Sequence, residues 1–468
     1  MLATRRAFLH SMLAVTLGFR GLRSLLAAEP GRTAAAPGPG YGPLIPDPNK
    51  LLDLPERFTY TVVSRAGERM DDGFLVPGKP DGMATFPGPG GKTILVRNHE
   101  LLADRPENGP YGSNNELLEK LPKEFSYDRG REQKPCLGGT TTLLYDTGNR
   151  RLERQFLSLA GTQYNCAGGP TPWGTWVTCE EDVQQANEVF EKGHGYAFEV
   201  PARADGKLVR PVPIVAMGRF RREAIAVDPK TGVVYQTEDR EDGLLYRYIP
   251  QKQGDLLAGG RVQALCAREY PSLDARNWMG EDGKPLGPDL PVGTKLAARW
   301  IDLDDLQAPN DDLRARGFAQ GAAKFAREEG IWYGKNGVFF ACTEGGKIRK
   351  GQIWKYTPSP NEGADGESDQ PGTVELFIEP NDTGLIDNAD NLTVAPWGDL
   401  IVCEDGSGEQ FVVGVTPGGG LYKLARSALG DSEFAGSVFS PDGSTLFVNL
   451  QGAGLTLAVH GPWHARPS

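Results

Sequence analysis

Histidine is scarce in this 468-residue chain: there are five, and His10 lies in the leading segment while His460 and His464 sit at the far end. A zinc or copper site built on imidazole is therefore disfavoured. The six cysteines (Cys136, Cys166, Cys179, Cys266, Cys342, Cys403) contain no C-x-x-C pair, which removes the usual zinc patterns. No stretch of 18 consecutive apolar residues occurs, so no transmembrane helix is expected. A G-x-S-x-G elbow is absent, and a serine hydrolase has no support. Gly88-Pro89-Gly90-Gly91-Lys92-Thr93 ends like a phosphate loop, but Phe86 stands where that motif needs glycine. Positive charge is also in deficit, 50 Lys and Arg against 61 Asp and Glu, a net charge of −11. That balance argues against nucleic acid or an anionic membrane as partner and suits a cation-binding protein.

What the chain has is a repeat. An acidic or small residue opens a short apolar run, a turn rich in Gly, Pro or Asp follows, and a second apolar run ends in another acid or amide. The copies are DGMATFPGPGGKTILVRNHE from Asp81, CAGGPTPWGTWVTCEED from Cys166, EAIAVDPKTGVVYQTED from Glu223, EGIWYGKNGVFFACTEGG from Glu329, ADNLTVAPWGDLIVCEDG from Ala389 and EFAGSVFSPDGSTLFVNLQG from Glu433. Repeated short hairpins predict an all-β, six-bladed β-propeller with loop and helical insertions.

Residues 1–29 read as a twin-arginine export signal, with Arg5-Arg6 followed by an apolar stretch from Met12 to Phe19 that Arg20 and Arg23 interrupt. Residues 30–56 read as a Pro/Gly-rich linker and 57–468 as a single propeller domain with insertions at 101–136 and 251–328. In this reading the second blade takes its outer strands from Tyr196 to Val200 and Val212 to Met217. Leu244 to Ile249 precedes the long insertion, the fifth blade is shortened, and residues 57–63 close the sixth. The long insertion ends in an amphipathic helix carrying Leu313, Phe318, Ala322 and Phe325 on one face, with a cap at Asp311 or Asp312.

The inner strand of a propeller blade lines the central channel, so both ends of each hairpin bring acids towards one mouth. The opening set is Asp81, Cys166, Glu223, Glu329, Asp390 with Asn391, and Glu433; the closing set is Glu100, Glu180 with Glu181, Glu238 with Asp239, Glu344, Glu404 with Asp405, and Asn449. Converging carboxylates repel unless some are protonated or cations bind. The closing acids are equally consistent with solvated turns. Oxygen ligands favour calcium, magnesium or ferric iron, and a thiolate at Cys166 suits iron better than calcium. Cys179, Cys342 and Cys403 occupy equivalent places in three repeats and read as small buried apolar residues. Arg327, Arg222 and Arg240 either face a substrate anion or balance neighbouring acids, and His99 either faces the site or packs.

The segments 165–181, 218–240, 325–333, 390–406 and 432–451 resemble the PhoX-type secreted alkaline phosphatases, and the resemblance runs from Asn98 to Trp463. It implies a six-bladed propeller holding two ferric ions and several calcium ions and hydrolysing small-molecule phosphoesters. By the same resemblance Cys166 is the thiolate iron ligand, and Glu181, Glu223, Glu329, Asp390, Asn391 and Glu433 belong to the metal-binding set. Arg327 binds phosphate beside Cys166 in the catalytic centre, with Arg222, which stands where the family is expected to carry another residue, as a second substrate contact. The resemblance further implies export of a monomer by the twin-arginine machinery to a bacterial periplasm or medium, with no nucleic acid and no membrane span. A calcium-dependent lactonase or arylesterase-like propeller and a non-catalytic metal-binding propeller are the alternatives.

Overall fold

Each repeat folds as an antiparallel hairpin because two mostly apolar runs flank a turn, and in several repeats the turn's own side chains satisfy its backbone. In the third repeat Asp228 does this, accepting the Lys230 N–H at 2.8 Å and the Thr231 hydroxyl at 2.8 Å. The computed structural model describes residues 40–335, 337–430 and 432–464; the expected export signal, 1–29, lies outside them. The hairpins pair β1 (Pro80–Pro87) with β2 (Thr93–His99), β3 (Asn165–Pro170) with β4 (Thr175–Glu180), and β5 (Arg222–Val227) with β6 (Val234–Glu238). They continue with β7 (Glu328–Gly334) and β8 (Gly337–Cys342), β9 (Ala389–Val394) and β10 (Leu400–Glu404), and β11 (Phe434–Phe439) and β12 (Thr445–Leu450). The first strands lie side by side in order, β1, β3, β5, β7, β9, β11, and β11 returns to β1. The architecture is all-β and propeller-like.

Outer strands depart from the expected pattern in several places. In the second repeat only Ala197–Pro201 follows, and the expected Val212–Met217 strand is reduced to a single bridge, Phe198 to Pro213, and a 3-10 turn at Val215–Met217. In the third, Tyr246–Pro250 is followed by Gly260–Ala267, so residues taken as insertion complete the sheet. Lys295–Asp302 then pairs with Gly260–Ala267 on one side and Thr373–Ile378 on the other, fusing the third and fourth repeats into one nine-stranded sheet. The fifth repeat is not shortened: its Val-rich strand Phe411–Val415 precedes Leu421–Ser427. Leu44–Ile45 and Leu52–Pro55, expected as linker, extend that sheet, because Leu52 and Leu54 bury there and Asp53 receives Arg426 at 2.7 Å. Thr59–Arg65 pairs with Leu455–His460, so the N-terminal strand closes the sixth sheet.

The helix is shorter than expected, Leu313–Ala319, which we label α1; Ala322 and Phe325 lie beyond it, with Phe325 in a two-residue strand against Gly243–Leu244. Asp312 takes the N-cap position without a side-chain cap bond, and Asp311 binds Arg240 and Arg314 instead. Among the described residues no helix is long and apolar enough to cross a membrane. The core fills the spaces between sheets; Val177, Ile225, Val234, Tyr246 and Val262 form part of one such layer.

Candidate metal centre

All six first strands break register at the same place, between Pro80 and Met83, Asn165 and Gly168, Arg222 and Ile225, Glu328 and Ile331, Ala389 and Leu392, and Ala435 and Val438. A bulge there re-aims a side chain that a regular strand would point elsewhere. The first bulge residues are Asp81, Cys166, Glu223, Glu329, Asp390 and Gly436. The second is small in five of the six, Gly82, Ala167, Ala224, Gly330 and Ser437, because neighbouring strands crowd at this level; the fifth hairpin carries Asn391 there. A Cβ on Gly330 would lie 2.7 Å from the Leu392 nitrogen, and one on Gly82 would lie 2.5 Å from the Ala167 Cα. Glu433, aligned with the opening acids by sequence, is therefore not their equivalent. Gly436 holds that place, its N–H donating to Asn391 Oδ1 at 2.7 Å, and Glu433 reaches the same cavity from just before its strand.

The bulges open on a cavity of ≈ 180 Å³ lined by Asp81, Glu100, Glu181, Glu223, Asp239, Glu329, Asp390, Asp405 and Glu433 with Cys166. Alternation along the second strands decides which closing acids take part. Glu181, Asp239 and Asp405 face the cavity, while Glu180, Glu238 and Glu404 turn into the sheets, where they bind His194, Tyr246 and Lys423. Glu344 stays outside, 3.7 Å from Arg327. Three sets bring ligand atoms within 4.8 Å of one another: Cys166, Glu181 and Glu223; Glu223, Glu329 and Asp390; and Asp81, Glu100 and Glu433.

Burial first, and mutual repulsion second, raise these carboxyls far above the usual range: Glu223 by Asp390 and Asp81, Glu329 by Asp239 and Asp390, Asp390 by Asp405 and Glu100. Glu433 is pushed up to about 10 by burial and by Asp405, and Glu100 to about 7 by burial. Burial also lifts the Cys166 thiol, whose sulfur faces the Glu223 carbonyl at 3.4 Å. Glu223 Oε2 is buried with no hydrogen-bond partner among the described residues. A buried carboxylate oxygen without a donor is costly, and a cation supplies the missing partner. Carboxylate, amide and thiolate donors fit hard cations and iron, so the residues present fit a metal centre.

Arg327 sits over this cavity. Its Nε donates to Asp239 Oδ1 at 2.8 Å, and NH2 donates to Asp239 Oδ2 at 3.0 Å and to Glu329 Oε1 at 2.9 Å. The fork holds Asp239 below the usual carboxylate range although burial pushes the other way. Arg222 does not reach the site. It is fully buried and donates to Gln236 and to the carbonyls of Gly195, Met217 and Gly218. Period two explains this: Arg221 and Glu223 face the axis, so Arg222 faces away. Arg221, missed in the sequence, donates from Nε to Glu181 at 2.6 Å. Lys79, Tyr164 and Gln451 also line the cavity unanticipated. Arg240 pairs with Asp311 at 2.6 Å, and His99 is buried against Gly78 and Thr141. Asn391 lines the cavity, and its amide donates to Asp390 at 3.2 Å. The six cysteines are buried and free.

Residues 39–454 match the family described as alkaline phosphatase PhoX. The protein is a phosphoric ester hydrolase. It belongs to the PhoX alkaline phosphatase family. Among solved structures it resembles Pseudomonas fluorescens PhoX in complex with vanadate, a transition state analogue, at 19% identity and a TM-score of 0.65, covering 91% of this chain and 98% of that one. A gluconolactonase from Xanthomonas campestris matches at 12% identity and a TM-score of 0.42, over 90% of this chain and 99% of that one. No curated protein matches the chain.

Proposed function

We propose that this chain hydrolyses small-molecule phosphoesters at the mouth of a six-bladed channel whose acids hold two ferric ions and several calcium ions. The observation carrying this reading is the convergence of nine carboxylates and one thiol beneath an arginine fork. Cys166, Glu181 and Glu223 suit one iron, since they include the only sulfur in the cavity; Glu223, Glu329 and Asp390 suit a neighbouring ion; Asp81, Glu100 and Glu433, all oxygen, suit calcium. Asn391 adds an amide beside Asp390. Bound cations would supply charge neutralisation on the phosphoryl oxygens.

The chain's own groups bind and orient. Arg327 presents a guanidinium suited to two phosphoryl oxygens, and Asp239 fixes its plane. Cys166 belongs to the wall; buried against carbonyl oxygens, it is no free nucleophile. The protein would act as an exported monomer, carried by the twin-arginine machinery to the periplasm or medium. Chelation followed by assay on p-nitrophenyl phosphate tests the reading: activity should vanish and return with iron and calcium. Full turnover by thoroughly stripped protein would refute it.

A further inference from the structure

The six hairpins share a second feature one tier above the bulges. Just before each first strand, one carbonyl accepts the N–H of the residue leaving the second strand. Lys79 accepts from Glu100 at 2.9 Å, Tyr164 from Glu181 at 3.0 Å, Arg221 from Asp239 at 3.1 Å, Arg327 from Thr343 at 2.9 Å, Asn388 from Asp405 at 3.0 Å and Glu433 from Gln451 at 3.1 Å. These residues form a collar around the mouth. Four of them hold left-handed backbones, with φ of 46° at Lys79, 53° at Tyr164, 51° at Arg327 and 55° at Asn388. Such a conformation strains a non-glycine residue, so its recurrence at one position marks a constraint. The shared carbonyl bond keeps the turn in place and tips the side chain over the cavity.

The collar is polarised. Lys79, Tyr164, Arg221 and Arg327 come from four consecutive hairpins and all line the cavity. Asn388 turns aside to the Thr343 carbonyl, and Glu433 is acidic. The two guanidiniums are more accessible than the acids directly beneath them: the side chains of Arg221 and Arg327 are 31% and 30% exposed, against 6% for Glu181 and 3% for Asp239, while Asp405, elsewhere on the mouth, is also exposed. Asp239 touches both guanidiniums, 2.8 Å from Arg327 Nε and 3.5 Å from Arg221 NH2, and so holds them as a pair. Lys79 Nζ lies 2.6 Å from Gln451 Oε1, a neutral partner.

We propose that Lys79, Tyr164 and Arg221 complete, with Arg327, an arc of donors that grips the phosphoryl group of the substrate. The inference rests on the phosphoester reading above and extends its substrate contacts from one residue to four. With Glu181 and Glu329 holding cations, the two guanidiniums would keep Asp239 as their partner and have their remaining N–H groups free for the ligand. Lys79 would add charge from the opposite end of the arc, and the Tyr164 hydroxyl, hydrogen-bonded here to Glu100, would add a neutral donor between them once that carboxylate is engaged by a cation.

The test uses the metal-loaded protein and the variants Arg221→Met, Arg221→Lys and Lys79→Met, with three readouts: orthophosphate affinity by calorimetry, KM and kcat on p-nitrophenyl phosphate, and metal content. Arg221→Met should weaken orthophosphate and raise KM by roughly ten-fold or more, the loss of a charge-assisted hydrogen bond. Arg221→Lys, which keeps charge but not the fork, should fall between it and the unchanged protein. Lys79→Met should cost up to about five-fold, as an exposed ionic contact does. Metal content should not change. Unaltered phosphate affinity at full metal content would overturn the proposal, and so would a loss of metal in Arg221→Met, which would make Arg221 a counterion of Glu181. Should Arg221→Met not fold, Arg221→Lys and the exposed Lys79→Met decide. If the unchanged protein binds orthophosphate but turns over no ester, the phosphatase reading fails while the arc stands.

Discussion

Asp239→Asn isolates the link between the carboxylate floor and the arginine above it. Asp239 is 3% exposed and takes two parallel bonds from Arg327, at 2.8 and 3.0 Å, with Arg221 NH2 3.5 Å away. Asparagine keeps the shape but offers one acceptor oxygen, and its amide N–H groups face a donor. One charge-assisted bond and the local negative charge are lost, worth about 1.5–3 kcal/mol. Arg327 keeps Glu329 at 2.9 Å and Glu344 at 3.7 Å, so it swings away from Asp239 rather than leaving the mouth. We expect kcat/KM on p-nitrophenyl phosphate to fall roughly 10- to 100-fold, since each 1.4 kcal/mol is about a factor of ten. Metal content should be unchanged, and Asp239→Glu should recover part of the loss. A fully metallated Asp239→Asn protein within about twofold of the original kcat/KM would refute the idea that Asp239 sets the plane of Arg327.

Arg222→Met should leave KM unchanged in folded protein but lower stability by about 3 kcal/mol or more, because four oxygens each lose a donor and the Met217 carbonyl alone among them keeps another, from the Gln236 amide; a denaturant melt checks this, and a raised KM without destabilisation would return Arg222 to the site. His194 lies between Glu180 at 2.6 Å and Asp128 at 3.4 Å, and although burial alone would depress it, those carboxylates push it up to about 12. His194→Gln should therefore cost about 3–5 kcal/mol by leaving two buried charges uncompensated; a melting temperature equal to the original would show the imidazolium to be dispensable. Metal-free protein should lose stability as pH rises from 5 to 9. The folded state holds protons on Glu433 up to about 10 and on Glu100 up to about 7, which the unfolded chain releases near the ordinary carboxylate range, so the stability present at low pH is lost on the way up. Thermal melts of stripped and metal-loaded protein across that range should diverge with increasing pH, and a stripped protein that melts higher at pH 9 than at pH 5 would contradict the assignment.

The repeat was legible because each hairpin carries its own turn chemistry and apolar runs, and these are local. Closure by Thr59–Arg65 was legible for the same reason, an alternating run left over once the sixth hairpin lacked a partner. The sites where the reading slipped are those where a single residue changes the face of a strand. Arg222 was singled out because it adjoins Glu223 and Arg221 was passed over, yet only positions two apart share a face, and Arg221 and Glu223 are two apart. Glu433 was aligned with the opening acids because it precedes an apolar run, but Gly436 occupies the bulge and the strand begins one rung earlier, with Phe434 opposite Leu450. Bulges leave little residue signature of their own, a small second position in every hairpin but the fifth, where Asn391 stands, so the tier to which an acid belongs depends on a register break that only the pairing of strands reveals. The same break shapes the mouth. By adding one residue to each inner strand it places acids below and cations above on the same side of the chain, a stacking that uninterrupted alternation would also allow but that only the bulge tips towards the axis. Removing one residue from a single bulge, such as Ala224, should rotate Glu223 into the sheet and take it out of both ligand sets it shares, with Cys166 and Glu181 and with Glu329 and Asp390, while leaving the hairpin's outer pairing with Tyr246–Pro250 in place; metal analysis of the folded variant should show a lowered content, and an unchanged content would refute the role given to the bulge.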